Sequence, residues 1–148
     1  MRFAGFFFGC LMFDQLTKYV VRTEMYPGQV ISLIDSVFSL TYVANRGGAF
    51  GLFQGMNLLF SLAAVIVLVG VLVFIKLKRP SILIVSALAL IGSGAAGNLI
   101  DRFAYGAVID FLHIRYWPVF NIADIAIVLG CAIIFLDMIV TDPNEVNQ

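Results

Sequence analysis

Residues 56–75 read MNLLFSLAAVIVLVGVLVFI, twenty positions without a charge. At about 1.5 Å of rise per residue, a helix over this stretch is about 30 Å long, the thickness of a bilayer's hydrocarbon core. A second uncharged run follows at once: residues 80–100 read PSILIVSALALIGSGAAGNLI. Lys76-Leu77-Lys78-Arg79 joins the two, and so short a link forces antiparallel helices. Further out, residues 3–21 are apolar but for Asp14, Gln15 and Lys18, and residues 122–140 but for Asp124 and Asp137. The pattern predicts an all-α membrane protein of four transmembrane helices, with spans at about 3–21, 56–75, 80–100 and 122–140 in a single integral-membrane domain, residues 1–148.

Composition points the same way. Of 148 residues 61% are apolar and 12% charged, against about 45–50% and about 25% in soluble domains. A soluble core of this size cannot hide so much apolar surface. Disorder is excluded on the same grounds. Nine basic residues balance nine acidic ones, and no basic stripe marks a nucleic-acid binder. Cys10 and Cys131 sit in apolar runs without CxxC or Cys/His spacing, which reads as two free buried thiols.

Lys76, Lys78 and Arg79 are the densest basic cluster and belong on the cytoplasmic side. An even number of spans then puts both termini there, with outer segments at 22–55 and 101–121. A secretory signal at the N-terminus is disfavoured because no small-x-small cleavage site follows the apolar run, and too little apolar chain precedes Gly9-Cys10 for lipoprotein cleavage there. In the first outer segment Val37-Phe38-Ser39-Leu40-Thr41-Tyr42-Val43 is β-branched and aromatic, which predicts short strands. Strands at membrane depth would expose backbone groups to lipid, so a small extracytoplasmic β-sheet is expected over the bundle.

Ionisable residues in spans cost about 2.5–3.5 kcal/mol each at a helix centre. Asp14 and Lys18 are i, i+4 with opposite signs, either an ion pair that permits insertion or a buttress for a site within the bundle. Asp137, near the inner end of the last span, has no assigned role. The outer helix ends are denser in polar groups: Gly97, Asn98, Asp101 and Arg102, then Val108-Ile109-Asp110-Phe111, then Phe120-Asn121-Ile122-Ala123-Asp124. A short connection brings these ends together, so Asp110 and Asp124 can converge among apolar neighbours. Two such carboxylates share one proton near neutral pH. The ionised member can take a proton from an attacking water while the protonated one binds a carbonyl oxygen, as in aspartic proteases. Asn98, Arg102 and Asn121 would then hold the peptide, with small Gly97 and Ala123 admitting its backbone. The alternative is that these residues only end or cap helices, Asp124 being favoured in a first turn by the helix dipole. There is no HExxH and no partner ligand for His113, so no metal is expected. Without G-x-S-x-G, or a Ser beside a candidate base, serine catalysis is unsupported. Tyr105, Tyr116 and Trp117 suit an interfacial aromatic belt. A small transporter would more often show paired halves.

Taken together, five ordered motifs resemble the bacterial lipoprotein signal peptidases, or signal peptidase II, over nearly the whole chain. They are Asp14-Gln15-Leu16-Thr17-Lys18; Asn45-Arg46-Gly47-Gly48-Ala49-Phe50; residues 94–102, GAAGNLIDR; Val108-Ile109-Asp110-Phe111; and Phe120-Asn121-Ile122-Ala123-Asp124. The resemblance implies an aspartyl endopeptidase of the bacterial inner membrane that cuts prolipoproteins just before a diacylglyceryl-modified cysteine. It implies catalysis by Asp110 and Asp124, supported by Asp14, Lys18, Asn45, Asn98, Asp101, Arg102 and Asn121. It implies no cofactor, and a β-cradle in the region before Asn45 and through Phe53. It further implies the cyclic peptide globomycin as an inhibitor in the substrate position. Expected partners are lipid-modified prolipoproteins and membrane lipids, not nucleic acid, for a monomeric enzyme whose site lies near the outer face. Ser93 and Gly48 depart from the family's usual Gly and Ala, both by small residues.

Overall fold

The computed structural model describes residues 2–47 and 55–140. In chain order the elements are α1 (Arg2–Glu24), β1 (Val30–Ile34), β2 (Phe38–Asn45), α2 (Asn57–Lys78), α3 (Ile82–Tyr105), β3 (Val108–Ile114) and α4 (Ile122–Val140). Helix α3 is the centre of the bundle and packs on α1, α2 and α4. Its sequence explains why. Ala87, Ala89, Gly92, Ser93, Gly94 and Ala95 are buried along it, and small side chains let neighbouring backbones approach closely. A Cβ on Gly94 would overlap the Ala123 carbonyl oxygen, and one on Gly130 of α4 would lie 2.6 Å from the Ala87 carbonyl oxygen.

The exterior is apolar. Only Ala64 and Val71 of α2 are buried, while Leu58, Ile66 and Leu77 are 70% exposed or more. Such a surface needs lipid around it. Three helices, α2, α3 and α4, are long and apolar enough to cross a membrane. The expectation of four is therefore met only in part. Helix α1 has 23 residues, but Asp14, Gln15 and Lys18 dilute its hydropathy. The chain is a mostly helical, multi-pass membrane protein with a small antiparallel sheet. Both cysteines are free, yet Cys131 is exposed and Cys10 partly so; the buried thiols expected are instead on outward faces of α1 and α4.

The sheet has the order β1-β2-β3, all antiparallel. Its third strand lies in an outer segment where no strand is expected. Gly106 allows it: at φ 69° it caps α3 in the left-handed conformation, its N–H bonding the Arg102 carbonyl, and β3 starts two residues later. Helix α3 thus runs past Asn98 and Arg102, which do not end it. Tyr42, Ile109 and Phe111 of the sheet pack on Val21 and Met25 at the end of α1. Residues 48–54, which include Gly48, Ala49 and Phe50 of the second motif and the end of the expected cradle, lie outside the described residues, as do 141–148.

Candidate active site

Five elements deliver polar side chains to one place. Helix α1 supplies Asp14 and Lys18, β2 supplies Asn45, α3 supplies Asn98, Asp101 and Arg102, β3 supplies Asp110, and the start of α4 supplies Asn121 and Asp124. Asn121 Oδ1 accepts the Asp124 N–H at 3.0 Å, and Asp124 Oδ2 accepts the Asn121 N–H at 3.2 Å. This is a reciprocal N-terminal cap of α4. The Asn121 amide group, its oxygen so occupied, donates to Asp110 Oδ1 at 2.7 Å and to Asn98 Oδ1 at 3.1 Å. Asn98 in turn donates to Asp124 Oδ1 at 2.8 Å. Asn45 donates to Asp110 Oδ2 at 2.9 Å. Register accounts for that last bond: Val43 faces Asp110 across the β2–β3 pair, so Asn45, two residues on, shares its face. All four carboxylate oxygens of Asp110 and Asp124 therefore accept an N–H, and the two acids are joined through Asn98 and Asn121.

Behind them lies a buried ionic cluster. Lys18 Nζ is 2.9 Å from Asp14 Oδ2 and 2.9 Å from Asp101 Oδ2. Its third N–H reaches Asn98 Oδ1 at 3.0 Å. The expected Asp14–Lys18 pair is thus part of a triad with Asp101. Asp14 also accepts the Ala123 N–H at 2.9 Å, and Asp101 accepts the Ile109 N–H at 3.1 Å. One carboxylate ties α1 to α4, and the other holds the strand carrying Asp110. Burial of Asp110 pushes its carboxyl up to about 7, with the nearby Asp124 charge adding to the rise and the Asn45, Asn121 and Lys18 interactions opposing it.

A cavity of about 310 Å³ adjoins the pair, lined by Asn45, Asn98, Arg102, Asp110 and Asp124 on its polar side and by Trp117, Val119 and Ile127 among its apolar residues. Arg102 stacks 5.3 Å over the Phe60 ring. It donates to the Asn98 carbonyl at 3.4 Å, and its Nε is buried without a hydrogen-bond partner among the described residues. Among the described residues, no three His, Cys, Asp or Glu side chains are placed to hold a metal.

The family model for signal peptidase (SPase) II matches residues 6–140. The chain belongs to the signal peptidase II family. A lipoprotein signal peptidase of Moorella thermoacetica is 46% identical over 127 residues, 84% of this chain and 83% of that protein. One from Syntrophomonas wolfei is 42% identical over 142 residues, 96% of this chain and 95% of its own length. A bacterial membrane enzyme solved by the in meso method at 2.3 Å resolution superimposes with a TM-score of 0.89 at 28% identity, covering 97% of this chain and 90% of that one. Family membership makes the chain a membrane peptidase.

Within this family member, nine of the residues singled out in the sequence belong to one hydrogen-bonded network: Asp14, Lys18, Asn45, Asn98, Asp101, Arg102, Asp110, Asn121 and Asp124. Gly97 and Ala123 lie where α1 meets α3 and α4. Both are buried, and a Cβ on Gly97 would overlap Asp14 Oδ2 and lie 3.4 Å from the Ala123 side chain. The lack of a side chain at Gly97 thus lets α1 approach closely. Sequence reasoning missed Gln15, whose Nε2 donates to Asp14 Oδ2 at 3.1 Å, the Gly97 carbonyl at 3.3 Å and Asp101 Oδ1 at 3.2 Å. Its position between Asp14 and Lys18 in an apolar run was the available signal. A Ser beside a His also exists after all: Ser39 Oγ is 3.3 Å from His113 Nδ1.

Proposed function

We propose that the protein is a membrane aspartyl endopeptidase that removes the signal peptide from diacylglyceryl-modified prolipoproteins, cutting before the lipidated cysteine. Asp110 and Asp124 are its catalytic pair, together holding one proton near neutral pH. The ionised carboxylate takes a proton from water as that water attacks the scissile carbonyl carbon, and the protonated one donates to the carbonyl oxygen. The proton taken from water then passes to the leaving amine as the C–N bond breaks, and the hydroxyl proton of the intermediate returns to the other carboxylate, restoring the pair. Asn45, Asn98 and Asn121 keep the carboxylates in register, and Arg102, whose Nε–H has no partner among the described residues, binds a carbonyl or phosphate oxygen of the bound substrate. Globomycin occupies the same cavity. The chemistry needs no cofactor or metal.

The observation that carries this reading is the Asp110–Asn121–Asn98–Asp124 chain of hydrogen bonds on the wall of a cavity. A helix cap needs only the Asn121–Asp124 part of it. Helix α1 serves as the fourth span. Asp14 and Lys18 are 1% and 2% exposed and face inward, while Phe6, Phe8, Met12, Phe13 and Leu16 face outward. The single domain then has both termini and the Lys76–Arg79 hairpin in the cytoplasm, and the site near the outer face of the bacterial inner membrane, beside its lipid-anchored substrates. The enzyme acts as a monomer.

The test is cleavage of a lipid-modified prolipoprotein by purified protein in detergent, with no metal or nucleotide added. Wild type should cut only the modified precursor. Asp110→Asn and Asp124→Asn should each fold and be inactive. Near-normal turnover by either variant refutes the dyad, and equal cleavage of unmodified precursor refutes the substrate class.

A further inference from the structure

A second cavity, of about 390 Å³, lies at the opposite end of the strands from the dyad, with Ser36, Ser39, His113, Arg115 and Tyr116 among its lining residues. We propose that it is a binding site for the phosphate of a phospholipid headgroup in the outer leaflet. The inference rests on the sheet lying at the membrane surface, as in the reading above. Ser39 and His113 face each other across the β2–β3 pair. With His113 Nδ1 engaged by Ser39, Nε2 is the ring's remaining polar atom. The Arg115 guanidinium stacks on the Tyr116 ring at 4.7 Å, and among the described residues it forms no salt bridge. The neighbouring acid, Asp35, accepts from Ser32 Oγ at 2.9 Å.

Of three non-glycine residues in the left-handed region among the described residues, two line this cavity, and the third, Arg79, caps α2. The two are Ser36 at φ 59° and Tyr116 at φ 68°. Their turns lie side by side, joined by the Arg115 N–H to the Val37 carbonyl at 2.9 Å. Such strain gathers at ligand clamps. Hydroxyl, imidazole and guanidinium groups together suit a phosphodiester, with Arg supplying the planar donor fork. Around them Val30, Ile34 and Val37 are 54–61% exposed, an apolar rim for the glyceryl and acyl part of a lipid and a poor fit for free phosphate. Arg115 and Tyr116 line this cavity and Trp117 lines the catalytic one. Headgroup binding is therefore one residue from the substrate's apolar wall.

Isothermal titration calorimetry on the full chain in non-ionic detergent tests this with three probes: short-chain phosphatidylglycerol, inorganic phosphate and short-chain diacylglycerol. Phosphatidylglycerol should bind saturably, inorganic phosphate at least tenfold more weakly, and diacylglycerol not measurably. Arg115→Ala and His113→Gln should each weaken phosphatidylglycerol binding at least fivefold while still cleaving lipidated precursor. Fluorescence of Trp117, the chain's single Trp, should shift on binding in wild type. No binding of phosphatidylglycerol, or diacylglycerol binding equally well, overturns the proposal. Inorganic phosphate binding as tightly overturns the lipid source. Binding that survives both variants but is lost in Arg102→Ala places the ligand in the catalytic cavity and also overturns it. Prolipoprotein cleavage is a separate measurement, so the two readings fail independently.

Discussion

Replacing Asp110 by Asn separates catalysis from stability through pH. In the folded protein burial raises the Asp110 carboxyl from 3.8 to about 7. A group raised on folding contributes stability that is fully present below its unfolded value and is lost as pH climbs through the folded one. Roughly three units at about 1.4 kcal/mol each amount to about 4 kcal/mol over the whole titration, of which about 3 kcal/mol falls between pH 5 and pH 9. Asn cannot ionise, so it escapes that loss. It does incur another cost. Both Asp110 oxygens accept amide N–H groups, from Asn121 and Asn45, and the Asn side chain offers one oxygen in place of two, at about 1–3 kcal/mol. The variant should gain on wild type by about 3 kcal/mol between pH 5 and pH 9 and be the more stable of the two at pH 9, with no cleavage at either pH. Thermal unfolding in detergent across this range measures the difference, and at about 2–4 °C per kcal/mol the swing is about 6–12 °C. Parallel curves for the two proteins would show that Asp110 does not titrate in this window, and the shared-proton mechanism would lose its basis.

Lys18→Met strands Asp14 and Asp101, and breaking a buried pair in this way costs about 3–5 kcal/mol. Asp14→Asn leaves the Lys18–Asp101 bridge and should cost clearly less; equal melting losses would mean that Lys18 does not bridge both acids. Gly97→Ala places a methyl against Asp14 Oδ2, so it should lower thermal stability and turnover together; a stable, active variant would show that α1 does not pack closely there. Arg102→Ala should reduce turnover and globomycin binding at least tenfold with little change in melting temperature, because its hydrogen bond among the described residues is a long one to its own helix; the opposite pattern would make it structural. EDTA should leave activity unchanged, and loss restored by zinc would rule out the aspartyl mechanism.

Helices α2, α3 and α4 were legible because a bilayer demands long uncharged runs, and nothing else in the chain imitates them. The polar residues were legible for the complementary reason: lipid makes each one expensive, so Asp14, Lys18, Asn98, Asp101 and Asn121 stood out before any contact was known. Strand β3 was not legible. Val108, Ile109, Asp110 and Phe111 are all buried, and a run buried on both faces has no period-2 signature. What fixes it is tertiary: pairing with β2, and the Asp101 carboxylate that accepts the Ile109 N–H. The packing of α1 on Gly97 was not legible for the same reason, since a small residue looks alike whether a substrate or another helix needs the space.

Sequence spacing set capping against catalysis for Asn121 and Asp124, and the hydrogen bonds remove the opposition. Capping occupies Asn121 Oδ1 with the Asp124 N–H, which leaves the amide nitrogen to face Asp110 and Asn98. Lys18 and Asn121 together occupy Asn98 Oδ1, so its nitrogen is the atom presented to Asp124. Neither amide can flip without setting donor against donor. The helix cap and the buried cation thus fix which atoms the two carboxylates meet. A cap normally contributes about 1 kcal/mol; here the same bond also fixes an acid pair. Asn121→Asp makes the distinction measurable. Asp caps a helix as well as Asn, but it has no N–H to give Asp110 and brings a third carboxylate to the pair. Helix α4 should remain capped while turnover collapses, and a variant that retained both would show that the amide donors of Asn121 are dispensable.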